Sequence, residues 1–377
     1  MSADDDLARR IARRIAAEGP LSVAAYMAMA LHDPHAGYYR RRAPIGRSGD
    51  FITAPEISQI FGELIGLWCA DLWLRMGQPD PVLVVELGPG RGQLLDDFLR
   101  AAATVPQFRR AIRLFLVEAS PVLRAAQAVR LAAAAPEFAD DFGAVPEGPG
   151  FVIANEFFDA LPVRQLVRGR ADWAERLVAV HDGRLVFVDG GETPLASALV
   201  PAELRDSPPG TVVEVCPAGA AFAAAIAARF ARHPGAALVI DYGRDRPAPG
   251  TTLAAVRQHR AADVLAAPGT ADLSAHVDFA ALAEAAAAGG AAVYGPVGQG
   301  RFLAGLGAAA RLAALCAASP DRRSGLDAGL ARLIDPAEMG TLFKVLALAS
   351  PGLPAPVGFE HEGDEAADDH AERARGR

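Results

Sequence analysis

The stretch VVELGPGRGQLL, residues 84–95, predicts a buried strand that passes through a glycine-rich turn into a helix. Glycines let the backbone approach a ligand, and a helix N-terminus offers free N–H groups, so this arrangement is typical of nucleotide-type sites. No Lys follows the glycines, as a P-loop requires, and Gln93 stands where a dinucleotide motif has its last glycine. The pattern that remains is ExGxGxG, formed by Glu86, Gly88, Gly90 and Gly92.

Two carboxylates indicate which ligand the turn receives. Glu86, near the end of the strand, repels a pyrophosphate but attracts the α-ammonium of an amino-acid-type ligand. The next apolar run, IRLFLVEAS, contains Glu118, whose carboxylate can accept both ribose hydroxyls of an adenosine group. S-adenosylmethionine carries an ammonium, a ribose and a sulfonium, and it has no phosphate. We therefore predict S-adenosylmethionine as the cofactor; a tight turn beside two solvated strand ends is the alternative.

Alternating strands and helices predict the fold. Four short apolar runs, PVLVVELG, IRLFLVEAS, GFVIANEFFD and GAALVIDYG, are separated by helical segments, a pattern typical of a largely parallel α/β sheet. Between the last two runs, Asp182-Gly183 is typical of a hairpin turn, which predicts an antiparallel β insertion at about residues 164–216. We predict an N-terminal helical region at 1–79, a core at 80–358 and a charged tail at 359–377.

The third run places polar side chains at the edge of the sheet where ligands bind. In FVIANEFFDALP, Asn155 and Glu156 follow directly on an apolar strand, and open α/β sheets bind ligands outside the carboxyl ends of their strands. Methyl transfer to an amine or a guanidinium requires a group that holds positive charge and accepts a proton, as a carboxylate does. We predict Glu156 and Asp159 as catalytic residues and Asn155 as a cofactor contact. Capping of a turn by Asn155 and of a helix by Asp159 are the alternatives.

A second polar cluster comes later in the chain, with Asp241 in DYG and with Asp272, His276 and Asp278 in DLSAHVDF. These residues could line the same cleft as Glu156. They could equally be a capped helix beside a surface histidine. Their spacing favours neither interpretation over the other.

Composition excludes several classes of protein. The formal net charge is −8, so the chain has no general basic field for a nucleic acid. No apolar run reaches the length of a membrane span. Cys69, Cys216 and Cys316 lie too far apart for a disulfide framework or a metal site. These features predict a cytoplasmic protein that has no metal ion, no nucleic-acid partner and no inserted membrane segment.

Two apolar helices are expected to be structural. Leu7, Ile11 and Ile15 share one face of an Arg-rich N-terminal helix. Three aspartates precede it and argue against a mitochondrial presequence or a membrane-surface helix, so we expect the helix to pack on its own domain. The long apolar helix around Trp68 and Trp73 is interpreted as core, with a homodimer interface as the alternative.

Six segments, in the same order along the chain, resemble the MidA-like family of class I methyltransferases: GDFITAPEISQIFGE, VELGPGRGQLL, NEFFDALPVRQ, DLSAHVDF, QGRFL and MGTLFKVLAL. The resemblance covers essentially the whole domain. It implies a Rossmann-like, mostly parallel seven-stranded fold that binds S-adenosylmethionine. The family includes the mitochondrial arginine methyltransferase that assists assembly of respiratory complex I.

The resemblance also implies roles for particular residues. Gly88, Gly90 and Glu118 would hold the cofactor, and Asp141 would lie at the adenine. The segment GDFITAPE would close over the cofactor as a lid, with contacts from Asp50, Thr53, Pro55 and Glu56. The implied activity is symmetric dimethylation of an arginine on a complex I (NADH dehydrogenase) subunit or a similar protein. A small-molecule methyltransferase and a non-catalytic assembly factor are the alternatives.

Overall fold

The computed structural model describes residues 3–41 and 53–359 of the chain. The predicted cofactor contact Asp50 and residues 360–377 of the predicted tail lie outside the described residues. Phe359, the first residue of that predicted tail, is buried, and its ring centroid lies 5.4 Å from that of Phe302. This residue therefore packs with the domain.

In chain order, the strands of the described residues are β1 (Leu21–Ser22), β2 (Val82–Leu87), β3 (Ile112–Val117), β4 (Glu137–Ala139), β5 (Gly150–Asn155), β6 (Arg164–Arg168), β7 (Trp173–His181), β8 (Arg184–Glu192), β9 (Val212–Val215), β10 (Gly235–Arg244), β11 (Ala254–Arg257), β12 (Arg260–Ala262), β13 (Asp272–Ser274), β14 (Val277–Asp278), β15 (Ala292–Gly298) and β16 (Phe343–Ala349).

The α-helices, again in chain order, are α1 (Ala3–Glu18), α2 (Val23–His32), α3 (Tyr38–Arg41), α4 (Ala54–Ile57), α5 (Gln59–Arg75), α6 (Gln93–Ala102), α7 (Pro106–Ala111), α8 (Pro121–Arg130), α9 (Pro194–Leu199), α10 (Pro217–Phe230), α11 (Phe279–Ala288), α12 (Gln299–Gly305), α13 (Ala308–Ala318), α14 (Arg323–Ile334) and α15 (Met339–Leu342). Short 3-10 helices lie at Ala132–Ala134, Phe142–Ala144, Ala202–Leu204 and Pro320–Arg322.

The central sheet is largely parallel. Its strand order is β15-β16-β10-β5-β2-β3-β4, and β14 pairs with the end of β10. From β10 to β4 all neighbours are parallel, whereas β16 is antiparallel to both β10 and β15. Strands β2 and β5 are buried along their whole length because helices cover both faces of the sheet. The predicted mostly parallel α/β sheet is confirmed; seven strands follow one another in its order, and the two-residue β14 is an eighth.

Helices form a layer on each face of this sheet. On one face, α5, α6 and α12 to α14 pack on side chains such as Val84. On the other face, α10 and α11 pack on the alternate side chains, such as Val85. Successive residues of a strand point to opposite faces, so each apolar run contributes to both layers. Trp68 and Trp73 of α5 are buried in the first layer and belong to the core of the protomer itself.

A buried carboxylate joins three of these helices. Glu63 of α5 is 0% exposed, and its oxygens accept hydrogen bonds from Nε of Arg100 on α6 at 2.9 Å and Nε of Arg311 on α13 at 2.7 Å. Nε2 of Gln59 donates a further bond at 3.0 Å. Because a buried carboxylate is costly unless it is paired, these bonds fix the packing of α6 and α13 on α5.

The segment between β5 and β10 forms a second, antiparallel sheet. Its order is β1-β7-β6-β9, and β8 pairs with β7. Asp182 and Gly183 join β7 to β8 with φ angles of 48° and 75°, so the predicted hairpin and antiparallel insertion are confirmed. Strand β1 comes from the N-terminal region, and its Leu21 pairs with Val178 of β7. The sequence did not predict that pairing.

Helices α1 and α2 pack against this second sheet. Leu7, Ile11 and Ile15 of α1 are buried in the same core as Val178 of β7. The expectation that the N-terminal helix packs on its own domain is confirmed. The three-stranded sheet β12-β11-β13 contributes Ala255 and other residues to this core.

Within residues 3–41 and 53–359, no single helix is both long and apolar enough to cross a membrane. Helices α12 and α13, which are bent by 67° at the break between them, reach that length and composition only as a pair. The same residues contain no group of three or more His, Cys, Asp or Glu side chains arranged to hold a metal ion. Cys69, Cys216 and Cys316 are free thiols.

Candidate active site

A cavity of about 240 Å³ opens at the carboxyl ends of β2, β3 and β5. Open parallel sheets bind their ligands at this edge. Ten of the predicted site residues line the cavity: Thr53, Pro55, Glu56, Glu86, Gly88, Gly90, Glu118, Asp141, Asn155 and Glu156. Of the other predicted residues that the structure describes, Gly92 and Asp159 do not line it. Segments far apart in the sequence therefore meet at one cavity.

The glycine turn between β2 and α6 has a backbone that favours glycine. Gly88, Gly90 and Gly92 have φ angles of 61°, 54° and 76°, in the left-handed region. A Cβ atom on Gly88 would lie 3.1 Å from Cδ2 of Phe157, so a side chain there would be crowded as well as strained. Gly92 is the N-cap of α6. At Gly88 and Gly90 the turn brings main chain rather than side chain to the cavity.

Glu86, two residues before Gly88, is a buried carboxylate at the cavity. It is 3% exposed, and its Oε2 has no hydrogen-bond partner among the described residues. Burial, followed by the nearby charge of Glu118, raises the pKa of Glu86 to about 8. A buried oxygen without a partner is costly, and the ammonium group of S-adenosylmethionine would supply both the donor and the positive charge. Glu86 therefore fits the predicted cofactor.

Glu118, just after β3, is held in one orientation by its neighbours. Its Oε1 accepts the N–H of Ser120 at 2.7 Å, and its Oε2 accepts a bond from Nε2 of Gln127 at 3.2 Å. The same Nε2 donates to the carbonyl of Gly90 at 2.7 Å, so one amide joins this carboxylate to the glycine turn. Burial raises the pKa of Glu118. Each carboxylate oxygen has a lone pair left to accept a ribose hydroxyl.

Asp141 and Asn155, both predicted as cofactor contacts, line the cavity. Oδ1 of Asp141 accepts the N–H of Ala144 at 3.0 Å and caps the short helix Phe142–Ala144. Nδ2 of Asn155 donates to Oε1 of Glu156 at 3.3 Å, while its Oδ1 has no partner among the described residues. The cofactor roles of Asp141 and Asn155 stay predictions.

The described part of the predicted lid is the short helix α4. Thr53 is its N-cap, and Thr53, Pro55 and Glu56 line the cavity. The N–H of Ala54 donates to Oε1 of Glu156 at 3.0 Å. That bond ties α4 to the carboxyl end of β5. Closure of this segment over the cofactor stays a prediction.

Glu156 combines a strained backbone with a poorly solvated carboxylate. Its φ angle is 51°, a left-handed conformation that costs about 1–3 kcal/mol for a residue other than glycine. Its own N–H donates to the carbonyl of Ile240 at 2.9 Å. Burial, opposed by the N–H of Ala54 and reinforced by the charge of Asp159, raises the pKa of Glu156 to about 7. Its carboxylate therefore changes protonation near neutral pH, as suits a proton acceptor.

Asp159 lies off the cavity wall, beside β10. Burial raises its pKa to about 6, although the nearby side chain of Tyr242 lowers it in part. Oδ2 of Asp241 accepts the N–H groups of Phe158 at 3.0 Å and of Asp159 at 3.1 Å. The half-buried Glu156 and the buried Asp159 and Asp241 together form what we call the buried acidic cluster. The catalytic roles of Glu156 and Asp159 stay predictions.

The second polar cluster, Asp241, Asp272, His276 and Asp278, lies away from the cavity wall. Asp241 belongs to the buried acidic cluster. Asp278 is instead the N-cap of α11, where its Oδ1 accepts the N–H of Ala281 at 3.0 Å. Asp272 accepts a bond from the hydroxyl of Tyr39 at 2.8 Å. None of the four residues lines the cavity, so their interpretation as cleft residues is wrong. The interpretation as a capped helix is confirmed for Asp278.

Several residues at the cavity were not predicted from the sequence. His32 and Tyr39 line it, and their rings stack with centroids 5.7 Å apart. Burial lowers the pKa of His32. Gln127 lies within α8, with no motif to mark it as the bridge between Glu118 and Gly90. No sequence spacing relates these residues to the glycine turn.

Curated relatives cover most of this chain. The protein arginine methyltransferase NDUFAF7 homolog, mitochondrial, of Drosophila melanogaster is 39% identical over 92% of this chain and 85% of its own length. The protein arginine methyltransferase NDUFAF7, mitochondrial, of Homo sapiens is 38% identical over 90% of this chain and 82% of its own. These relatives are mitochondrial proteins, so the expected cytoplasmic location is wrong. Cysteine usage separates oxidising from reducing compartments but does not distinguish one reducing compartment from another.

A family match and a solved structure agree with S-adenosylmethionine as the cofactor. A crystal structure of a Burkholderia thailandensis protein bound to S-adenosyl-homocysteine is similar over 94% of both chains, with a TM-score of 0.82 and 32% identity. S-adenosyl-homocysteine is what remains of S-adenosylmethionine after the methyl group has left. A family model described as S-adenosyl-L-methionine-dependent methyltransferase matches residues 64–297. The chain therefore belongs to the family of S-adenosyl-L-methionine-dependent methyltransferases.

Proposed function

We propose that this chain is a protein arginine N-methyltransferase. The observation that carries the proposal is the buried acidic cluster beside the cofactor cavity. Within the part of the chain that the structure describes, Glu156 and Asp159 form no ion pair with a basic side chain, and burial raises both pKa values. A guanidinium would supply the missing charge and up to five N–H donors. The names of the curated relatives, protein arginine methyltransferases, support the same class of substrate.

The proposal includes symmetric dimethylation of an arginine on a respiratory complex I subunit or a similar protein. Its support is the resemblance of six sequence segments to a family whose mitochondrial member has that activity. Because the acidic cluster is buried, the arginine has to sit on an exposed segment of its protein, where the side chain can extend into the cavity. An unassembled subunit would offer such a segment more readily than one packed in a complex.

The residues of this chain orient the acceptor and take its proton. Bound S-adenosylmethionine supplies a methyl group on a sulfonium, and the electron pair of the broken C–S bond stays on sulfur as the N–C bond forms. Oε1 of Glu156 already accepts the N–H of Ala54 and a bond from Asn155, which fixes the carboxylate. Its remaining lone pairs hold the guanidinium and accept the proton that the attacking nitrogen loses. Phe157 and Phe222 line the cavity and exclude water.

Labelling in a lysate tests the proposal. The purified protein is incubated with methyl-tritiated S-adenosylmethionine and a lysate of cells that lack the endogenous enzyme. We expect a labelled protein whose acid hydrolysate contains symmetric dimethylarginine. Glu156→Gln keeps the side-chain volume but removes the proton acceptor, and it should slow labelling about 100-fold. Glu284→Gln, the same change at an exposed position of α11, is the matched control and should label at the wild-type rate.

Two other outcomes would overturn the proposal. Label confined to small molecules would assign the chain to the small-molecule methyltransferases. Cofactor binding without any transfer, in a lysate that contains the unassembled partner, would assign it to the non-catalytic assembly factors. Labelling of the same protein by Glu156→Gln at the wild-type rate would remove Glu156 from the mechanism.

A further inference from the structure

The segment that follows β5 is held by an aspartate of the neighbouring strand. Asp241 of β10 is 0% exposed, and it is not among the residues that line the cavity. Its Oδ2 accepts the N–H groups of Phe158 at 3.0 Å and of Asp159 at 3.1 Å. Its Oδ1 accepts the N–H of Tyr242 at 2.9 Å. One carboxylate therefore fixes the main chain of two consecutive residues just after Glu156.

A second interaction involves the side chain of Asp159. The nearby side chain of Tyr242 lowers the pKa of Asp159 against the effect of burial. Tyr242 follows Asp241 directly in the chain. Asp241 thus holds the main chain of Asp159, and Tyr242 acts on its side-chain carboxylate.

Glu156 needs such support because its backbone is strained. A residue other than glycine keeps a φ angle of 51° only where the surroundings over-determine it. The N–H of Glu156 donates to the carbonyl of Ile240 at 2.9 Å, and Ile240 precedes Asp241. Glu156, Phe158 and Asp159 are therefore all bonded to two consecutive residues of β10. Loss of the Asp241 contacts would leave only one of these three bonds.

A carboxylate is a costly choice for packing at this position. Burial raises the pKa of Asp241 well above its usual range, and the charges of Asp159 and Glu156 raise it further. Val239, two residues earlier in the same strand, is fully buried without that cost. The aspartate is explained by the three N–H groups that it accepts, because buried donors without an acceptor are costly in turn.

We infer that Asp241 is a positioning residue for methyl transfer: its carboxylate fixes the main chain after β5 and thereby aims the carboxylate of Glu156 into the cavity. The inference rests on the proposed function, in which Glu156 contacts the substrate. Asp241 acts through Glu156 and does not touch the substrate. Substitutions at this position should therefore alter turnover more than cofactor affinity.

Asp241→Asn and Asp241→Ala distinguish this role from a merely structural one. Asparagine keeps one acceptor oxygen for the N–H groups of Phe158 and Asp159, whereas alanine keeps none. We expect kcat to fall about 10-fold in the Asn variant and about 100-fold in the Ala variant. The Kd of S-adenosylmethionine, measured by titration calorimetry, should stay within about twofold of the wild-type value.

The pH dependence of kcat/KM is a further test, because loss of a merely structural residue would not shift it. The groups that act on the charge of Glu156 are the N–H of Ala54, Asp159, Asn155, Arg332 and, because their interaction is mutual, Asp241, whose charge both variants remove equally. In Asp241→Ala the released Glu156 becomes better solvated. The acid limb of kcat/KM should therefore move to lower pH, and it should move less in Asp241→Asn.

Hydrogen exchange gives a readout that is independent of the substrate. In Asp241→Ala the amides of residues 156–161 should exchange faster, while the amides of β2 should not change. Asp278→Ala is the matched control, since it removes an aspartate that caps α11. This control should speed exchange at the start of α11 and leave kcat and the pH profile at wild-type values.

The outcomes separate this inference from the proposed function. Wild-type kcat, pH profile and exchange in Asp241→Ala would overturn the inference. Equal losses of cofactor affinity and turnover would also overturn it, because they would indicate general disruption of the cavity. If the wild type labels an acceptor other than arginine, the proposed function fails, and the same kcat ratio is then measured on that acceptor.

Discussion

Replacing Glu156 by glutamine should make the folded protein more stable than the wild type at alkaline pH. At acid pH the variant and the wild type should be about equally stable. The pKa of this carboxyl is about 7 in the folded protein, against 4.5 for an ordinary glutamate, chiefly because it is buried. The folded state therefore binds the proton more tightly than the unfolded state does. The free energy of unfolding of the wild type falls as pH rises from 4.5 to about 7, and the full penalty is present above that pH.

The size of the effect follows from the two pKa values. Their difference, at about 1.4 kcal/mol per pH unit, corresponds to about 3 kcal/mol. Glutamine has a similar volume and no charge, so it escapes this penalty while its oxygen can still accept the N–H of Ala54. Loss of the charge on Glu156 also relieves Asp241, whose pKa is raised by burial and then by its acidic neighbours. We expect the variant to exceed the wild type by up to about 3 kcal/mol at high pH and by almost nothing near pH 4.5.

Urea unfolding, followed by tryptophan fluorescence at several pH values between about 5 and 8.5, measures this difference. Glu284→Gln, at an exposed position of α11, controls for the loss of one acidic side chain. The reasoning is refuted if the free energies of unfolding of Glu156→Gln and wild type run parallel across the whole range. Such a result would mean that water reaches Glu156 freely and that its carboxylate is an ordinary one.

Two further predictions concern the cofactor turn and the core. Gly88→Ala should weaken S-adenosylmethionine binding about 10-fold or more in a calorimetric titration, because its Cβ would lie 3.1 Å from Phe157 at a φ of 61°. Gly183→Ala has a comparable φ of 75° with nothing within 4 Å, so it should keep wild-type affinity, and equal losses in both would contradict a local effect. Glu63→Ala should lower the free energy of unfolding by about 2–3 kcal/mol in urea, since it removes the ion pairs with Arg100 and Arg311 that join three helices and leaves Arg100 paired with Asp97 of its own helix. An unchanged urea midpoint would show that Glu63 contributes nothing to the packing of α6 and α13.

The central sheet could be predicted because the features that specify its strands lie within short stretches of the sequence. Strands that are buried on both faces appear in the sequence as continuous apolar runs. The left-handed backbone at Gly88 and Gly90 is indicated by the glycines, which adopt that conformation readily. The pairing of Leu21 with Val178 gave no comparable signal. A two-residue strand has no periodicity, and its partner lies in a distant part of the chain.

The same distinction holds for the candidate site. Glu86, Glu118 and Glu156 could be selected because each lies at or just beyond the carboxyl end of a predicted strand, where parallel strands present their ligand contacts. Gln127 could not be selected, since its two bonds depend on how α8 packs against the glycine turn. The hydrogen bonds from the N–H groups of Phe158 and Asp159 to Asp241 likewise depend on the register in which β10 pairs with β5. Spacing along the chain does not encode such contacts.

The pairing of β1 with β7 sets a delay on the folding of the nascent chain. Leu21 leaves the ribosome 157 residues before its partner Val178. At about 5–20 residues per second, the first two helices therefore wait roughly 8 to 30 s for the sheet on which they pack. During that interval Leu7, Ile11 and Ile15, which end up buried, have no completed core to cover them. The start of the chain is thus exposed to aggregation, and to capture by chaperones, while translation continues.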